Sequence, residues 1–108
     1  MDNPNPIVYA PEDRRLKRAT IADPKVQEVF DIIRRIQDPE HPYTLEELNV
    51  VSEEQCTYKD DIVTVEFTPT VPHCSMSNLI GLMIITKLRR FLPPNVKTDV
   101  FVSKNAHL

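Results

Sequence analysis

The longest apolar stretch of the chain runs from Leu79 to Leu92 and holds Leu79, Ile80, Leu82, Met83, Ile84, Ile85, Leu88, Phe91 and Leu92. These positions cover most of a helical circumference, the pattern of a helix buried on more than one side. The spacing predicts a helix over 77–92. Lys87, Arg89 and Arg90 fall in its last turns, where cations suit the dipole, and Pro93-Pro94 ends it. An earlier apolar face is built from Val26, Val29, Phe30, Ile33 and Ile36, at spacings of 3, 1, 3 and 3. It predicts a first helix over 24–37, with Asp23 as N-cap and Pro24 at the first helical position. Asp38-Pro39-Glu40-His41-Pro42 stops it, because a residue before Pro avoids the helical region.

Between the helices the period changes. Thr44-Leu45-Glu46-Glu47 has the form of a capping box and predicts one short helical turn. Leu48, Val50 and Val51 lead into a weak strand through about Tyr58. Lys59-Asp60-Asp61 reads as a hairpin turn. Ile62, Val63, Val65 and Phe67 make a second strand, with Thr64 and Glu66 on the alternate face. A third strand spans 97–103, with Val96, Val100 and Val102 on one phase. The order is helix, strand, strand, helix, strand. It predicts an α+β fold, a small mixed sheet of about three strands packed against two helices.

Residues 1–22 carry Pro4, Pro6 and Pro11 among many charges and read as a flexible arm ahead of a domain over 23–108. The alternative is a docking peptide anchored by Ile7-Val8-Tyr9. The second helix asks for more cover than so small a sheet provides. Its apolar surface, a sheet edge and the stiff Pro93-Pro94 connector together predict a homodimer formed by exchange of an element.

The composition narrows the function classes. A chain of 108 residues is one domain, and 41% apolar with 27% charged residues is ordinary for a globular protein. A net charge of -3 argues against nucleic acid as the main partner. The single Gly, Gly81, excludes a Gly-rich phosphate loop. The two cysteines, Cys56 and Cys74, form neither a CxxC site nor a disulfide framework, which fits a reducing compartment. No apolar signal-peptide core opens the sequence, and the apolar run is too short to span a membrane.

Candidate chemistry gathers at Pro72-His73-Cys74-Ser75. Ser75 and Ser77 are plausible N-caps, which places Cys74 at or just before a helix N-terminus. The partial positive charge there favours a thiolate, and His73 adds charge or a ligand. A buried structural Cys is the alternative. The pair alone does not separate a nucleophile, a metal ligand and a redox thiol. A cysteine enzyme with His73 as base lacks an acid to orient the His. A zinc site on His73, Cys74 and His107 needs a fourth ligand, for which Glu40, His41, Glu66 or Cys56 are weak candidates.

Three stretches carry a resemblance: Asp38-Pro39-Glu40-His41-Pro42, Leu45-Glu46-Glu47-Leu48-Asn49-Val50-Val51, and Phe67-Thr68-Pro69-Thr70-Val71-Pro72-His73-Cys74-Ser75-Met76 with Leu79-Ile80-Gly81-Leu82 behind. With them the chain resembles the eukaryotic MIP18-like family, which shares its domain with SufT-like proteins. The arm Asn3-Pro4-Asn5-Pro6-Ile7-Val8-Tyr9 and His41 look more like the B-type branch than the A-type. The resemblance implies a non-enzymatic adaptor of the cytosolic iron–sulfur protein assembly targeting complex. It implies a WD-repeat propeller subunit, a HEAT-repeat adaptor and apo iron–sulfur clients as partners. It implies Cys74 as the functional thiol, with Pro72, His73 and Ser75 as motif neighbours and His107 matching a family His. A transient iron–sulfur cluster or zinc would be the metal, with no tightly bound cofactor required. The implied location is the cytoplasm and also the nucleus, with a link to chromosome segregation; no direct nucleic-acid or membrane contact is implied. Lys104-Asn105-Ala106 replaces the family's Gly-containing turn. The family's further C-terminal helix is expected to be absent from a chain that stops at Leu108.

Overall fold

A computed structural model describes residues 23–70 and 74–103. The expectations for the arm, for Val71, Pro72 and His73, for the Cys74 side chain and for 104–108, His107 included, lie outside the described residues.

Helix α1, Pro24–Ile33, starts as the sequence predicts. Asp23 is extended, its carboxylate accepts from Lys25 N at 3.0 Å, and Pro24 occupies the first turn. Its buried face is Val26, Val29, Phe30 and Ile33. The helix ends a turn before the predicted Gln37. Past Arg34 the backbone is captured by a later segment: Gln37 bridges Thr44, Leu45 N donates to Ile36 O at 2.8 Å, and Asp38 N donates to Tyr43 O at 2.9 Å. Ile36 is still buried, so its spacing reported burial and not helix.

The capping box forms. Glu47 N donates to Thr44 Oγ1 at 3.1 Å, and Thr44 N donates to Glu47 Oε1 at 2.9 Å. The single turn ends at Asn49 with φ 57, a left-handed conformation that Asn tolerates better than most residues. Of the weak strand predicted from Leu48 through about Tyr58 only the last part forms, after Glu53–Gln55 make a 3₁₀ turn. Strand β1 is therefore short, Cys56–Lys59, and Cys56 opens it where a mid-strand place was expected. Strand β2, Ile62–Phe67, pairs antiparallel with β1 through Lys59↔Ile62. Asp60 and Asp61 both have positive φ, 54 and 60, which a two-residue hairpin of this twist requires.

Helix α2, Cys74–Phe91, is the crossover to strand β3, Lys97–Val102, which lies parallel to β2. The sheet order is β1-β2-β3 and the sheet is mixed, as expected. The register sets its two faces. Cys56, Val63, Val65 and Phe67 are buried toward the helices, with Val100 and Val102 packed beside them. On the other face Ile62 and Phe101 are exposed.

Two readings of α2 are corrected. It begins at Cys74, so Ser75 and Ser77 lie inside it and are not N-caps. Its burial is a single stripe, Ile80, Ile84, Leu88 and Leu92, at a spacing of four. Leu82 was expected in the core but is 61% exposed, as is Phe91, and Leu79 is also exposed. Apolar composition around a helix does not say which side the sheet occupies.

Candidate functional site

The site is built on the crossover. Strands β2 and β3 are parallel neighbours with Phe67 opposite Val102, so both leave the sheet at the same end. Beyond β2 the described chain resumes at Cys74, the first residue of α2. The chain from β3 is described as far as Ser103. Parallel strands characteristically place ligand sites beyond their carboxyl ends. Cys74, the first residue of α2, follows β2 at this end, while His73, His107 and the Cys74 side chain lie outside the described residues.

The described rim of this end is tightly held. Thr68 N donates to Val50 O at 2.9 Å, and Gln55 Nε2 donates to Thr68 Oγ1 at 3.2 Å. Ser52 Oγ donates to Gln55 Oε1 at 3.1 Å, and Ser103 N donates to Phe67 O at 2.8 Å. One turn into α2, Ser77 is buried while Ser75 is exposed. Thr70 Oγ1 is buried with no hydrogen-bond partner among the described residues.

The second cysteine is removed from this chemistry. Cys56 is 4% exposed and its Sγ–H donates to Ser52 O at 3.4 Å. Burial, with a smaller push from Glu53 and Glu54, raises its thiol to about 12. The fourth-ligand candidates are dispersed. Cys56 pairs with Val65 on the helix-facing side, while Glu66, next along β2, points to the opposite face. Glu40 and His41 belong to the loop after α1, where their backbone N–H groups donate to Asp38 Oδ1 at 2.8 and 3.2 Å. No group of three or more His, Cys, Asp or Glu is gathered for a metal among the described residues.

The sequence reading missed the polar ties that fix the 44–52 segment behind the site. Arg34 reaches Glu46 with Nε to Oε1 at 3.0 Å and Nη2 to Oε2 at 2.6 Å, and Asp31 with Nη1 to Oδ1 at 3.0 Å. Burial opposes the Arg34 charge, but the two carboxylates outweigh it and raise its pKa above the ordinary value. Residues 12 apart carry no periodic signal, so nothing in the sequence announces this pair. The Asp38 role had a visible cue, since Asp before Pro favours capping its own turn.

A three-stranded sheet under two helices, with a cysteine opening the crossover helix, is the class of domain. Residues 26–102 match the iron–sulfur cluster assembly protein family, and the chain belongs to that family, with MIP18 family proteins among its relatives. It is 46% identical over 115 residues to cytosolic iron–sulfur assembly component 2B of Mus musculus, covering 99% of this chain and 71% of that one. The Dictyostelium discoideum protein of the same name is 43% identical over 124 residues, covering 98% and 76%. A MIP18 family protein of Caenorhabditis elegans is 47% identical over 118 residues, covering 99% and 74%.

Proposed function

We propose that this chain is an adaptor in cytosolic iron–sulfur protein assembly. It helps deliver clusters to apo-proteins, with Cys74 as its functional thiol, and performs no catalysis of its own. The observation that carries the reading is the position of Cys74 as the first residue of an 18-residue helix, at the carboxyl end of a parallel strand pair. The unpaired N–H groups and positive dipole end of such a helix favour a thiolate, the form that binds iron or attacks a disulfide.

The cluster is cargo here. A [2Fe–2S] or [4Fe–4S] cluster is held by four Cys ligands, or by two Cys and two His in Rieske centres. This chain has two cysteines, and burial holds Cys56 as a thiol. One copy therefore lacks the donors for a resident cluster, and Cys74 would share its ligand set with a partner or client. His73 and His107 are the further donors that the family resemblance implies. The names of the relatives support the assembly role and the cytosolic location. The WD-repeat and HEAT-repeat partners rest on the family resemblance.

The test is a pull-down from cytosol with wild type and Cys74→Ala, followed by assay of a cluster-dependent client. Retained partners with lost client maturation support a handling role for the thiol. Full client maturation with Cys74→Ala overturns it.

A further inference from the structure

Two adjoining cavities form an open groove between α1 and α2. One, of about 570 Å³, is lined by Pro24, Ile32 and Phe91. The other, of about 470 Å³, is lined by Ile36, Leu82 and Met83. Arg35 and Lys87 line both, and Arg90 lines the second. Phe91 in the first cavity and Leu82 in the second are each 61% exposed. Large apolar side chains left in water along a concave surface mark an interaction site.

The charge of the groove runs against that of the chain. The net charge is -3, yet the second cavity is lined by Arg35, Lys87 and Arg90 and by no carboxylate among the described residues. None of the three cations makes an ion pair among the described residues; Lys87 lies over the Phe91 ring at 5.8 Å. The neighbouring Arg34 is arranged in the opposite way, its guanidinium held by Glu46 and Asp31. Glu28 and Asp31 line the first cavity, and Asp31 is engaged there by Arg34 at 3.0 Å.

We propose that this groove is the docking site for an acidic amphipathic helix of a partner protein. The helix lies lengthwise, with apolar side chains on the floor and carboxylates over Arg35, Lys87 and Arg90. Charge selects the acid: three cations around an apolar floor are matched by Glu or Asp flanking Leu-like anchors. Shape selects the helix. A channel between two helices accepts a rod, whereas a flat anionic membrane would meet only its rims. Nucleic acid would satisfy the cations but bring no aliphatic side chains to Ile36 and Met83. Length agrees as well. Pro24 to Arg35 spans about 16 Å and Leu82 to Phe91 about 14 Å at helical rise, so about three turns of partner helix fit. On α2 the described lining begins at Leu82, two turns past the helix start, so docking here does not depend on the role of Cys74.

The probe is a fluorescein-labelled peptide of about 14 residues, a length set by the groove. It is alanine-based, with Leu on one face at helical spacing and Glu beside each Leu. Titration with the full chain should give saturable binding that weakens several-fold as salt rises. Arg35→Glu with Lys87→Glu and Arg90→Glu should weaken it by about tenfold or more. The same peptide with Lys for Glu should bind that triple variant better than it binds wild type, an inversion that a misfolded chain would not show. In nitrogen-15 spectra the peptide should shift the amides of Ile32, Gln37, Met83 and Thr86. Cys74→Ala should bind as wild type does, so a failure here and a failure of client maturation are read separately. Absence of saturable binding, equal binding of the Lys peptide by wild type, or shifts centred outside the groove overturns the proposal. So does binding of phosphatidylserine vesicles in place of the peptide, which makes a membrane the occupant. Groove amides that move on dilution without peptide overturn it too, since a second copy then fills the site.

Discussion

The half of the molecule that ends at Cys56 and the half that begins at Cys74 are stabilised differently. In the first, polar side chains fix the backbone: Asp23 caps α1, Arg34 grips Glu46, Asp38 closes its own loop, and Thr44 and Glu47 cap each other. In the second, α2 is held by one apolar stripe against the sheet and α1, and Leu79, Leu82 and Phe91 on its other sides are exposed. The cysteines follow suit. Cys56 is a packed, hydrogen-bonded core residue, whereas Cys74 starts the helix at the end where the strands open.

If the first half depends on polar ties, breaking the tightest one has the largest effect. Arg34→Ala leaves Glu46, 5% exposed, without its cation. An uncompensated buried charge typically costs about 3–5 kcal/mol, which for a domain this size brings unfolding close. Urea denaturation measures it, and a loss below about 1 kcal/mol would mean the pair is solvated, as surface pairs are. In the second half the expected loss depends on the stripe. Ile84→Ala, at a fully buried position, should cost about 2–5 kcal/mol. Leu82→Ala should stay within about 0.5 kcal/mol, because exposed positions rarely matter more. Equal losses at the two sites would erase the one-sided picture of α2.

Both halves were partly legible in the sequence, for different reasons. Local chemistry showed through: Asp23-Pro24 as a helix start, Thr44 with Glu47 as a capping box, and Asp60-Asp61 as a hairpin turn all formed. These depend on residues within a few positions of one another. The end of α1 was misplaced because it is decided by pairing of 36–38 with 43–45, and Ile36 kept the helical spacing while serving the core from a loop. The strand expected from Leu48 starts only at Cys56 for the mirror reason, since Val50 and Val51 are buried without belonging to the sheet. In α2 the length of the apolar run was visible but its buried side was not. At the site, the Cys–helix junction was legible to within one turn, while the Ser52–Gln55–Thr68 chain that steadies the rim was not, because it joins side chains from three separate segments.

The two thiols give a sharper test of the contrast. With its thiol raised to about 12, Cys56 should resist alkylation in folded protein throughout the neutral range. Cys74 should react fast there, if the helix start acts on it as proposed. Competitive alkylation followed by mass spectrometry separates them, and comparable rates would remove the distinction. The raised thiol has a consequence for stability. It favours the folded state fully below the thiol's unfolded pKa, and that contribution fades as pH climbs from about 9 toward 12. Cys56→Ala should flatten part of the alkaline loss.

The smallest effect expected has the opposite sign. Gly81 lies inside α2 with ordinary helical φ, half-buried between the covered and uncovered sides. A methyl group there would meet two atoms of the Phe67 ring at 3.6 Å, ordinary van der Waals contact. No backbone strain or close approach requires glycine, and Gly in a helix interior is less favourable than Ala by about 1 kcal/mol. Gly81→Ala should therefore raise stability by about 0.5–1 kcal/mol, read as a higher denaturant midpoint at unchanged slope. The new methyl would also thicken the contact between α2 and Phe67 of β2. If the variant is less stable, the Phe67 ring cannot give way, and α2 packs more tightly on the sheet than its single buried stripe implies.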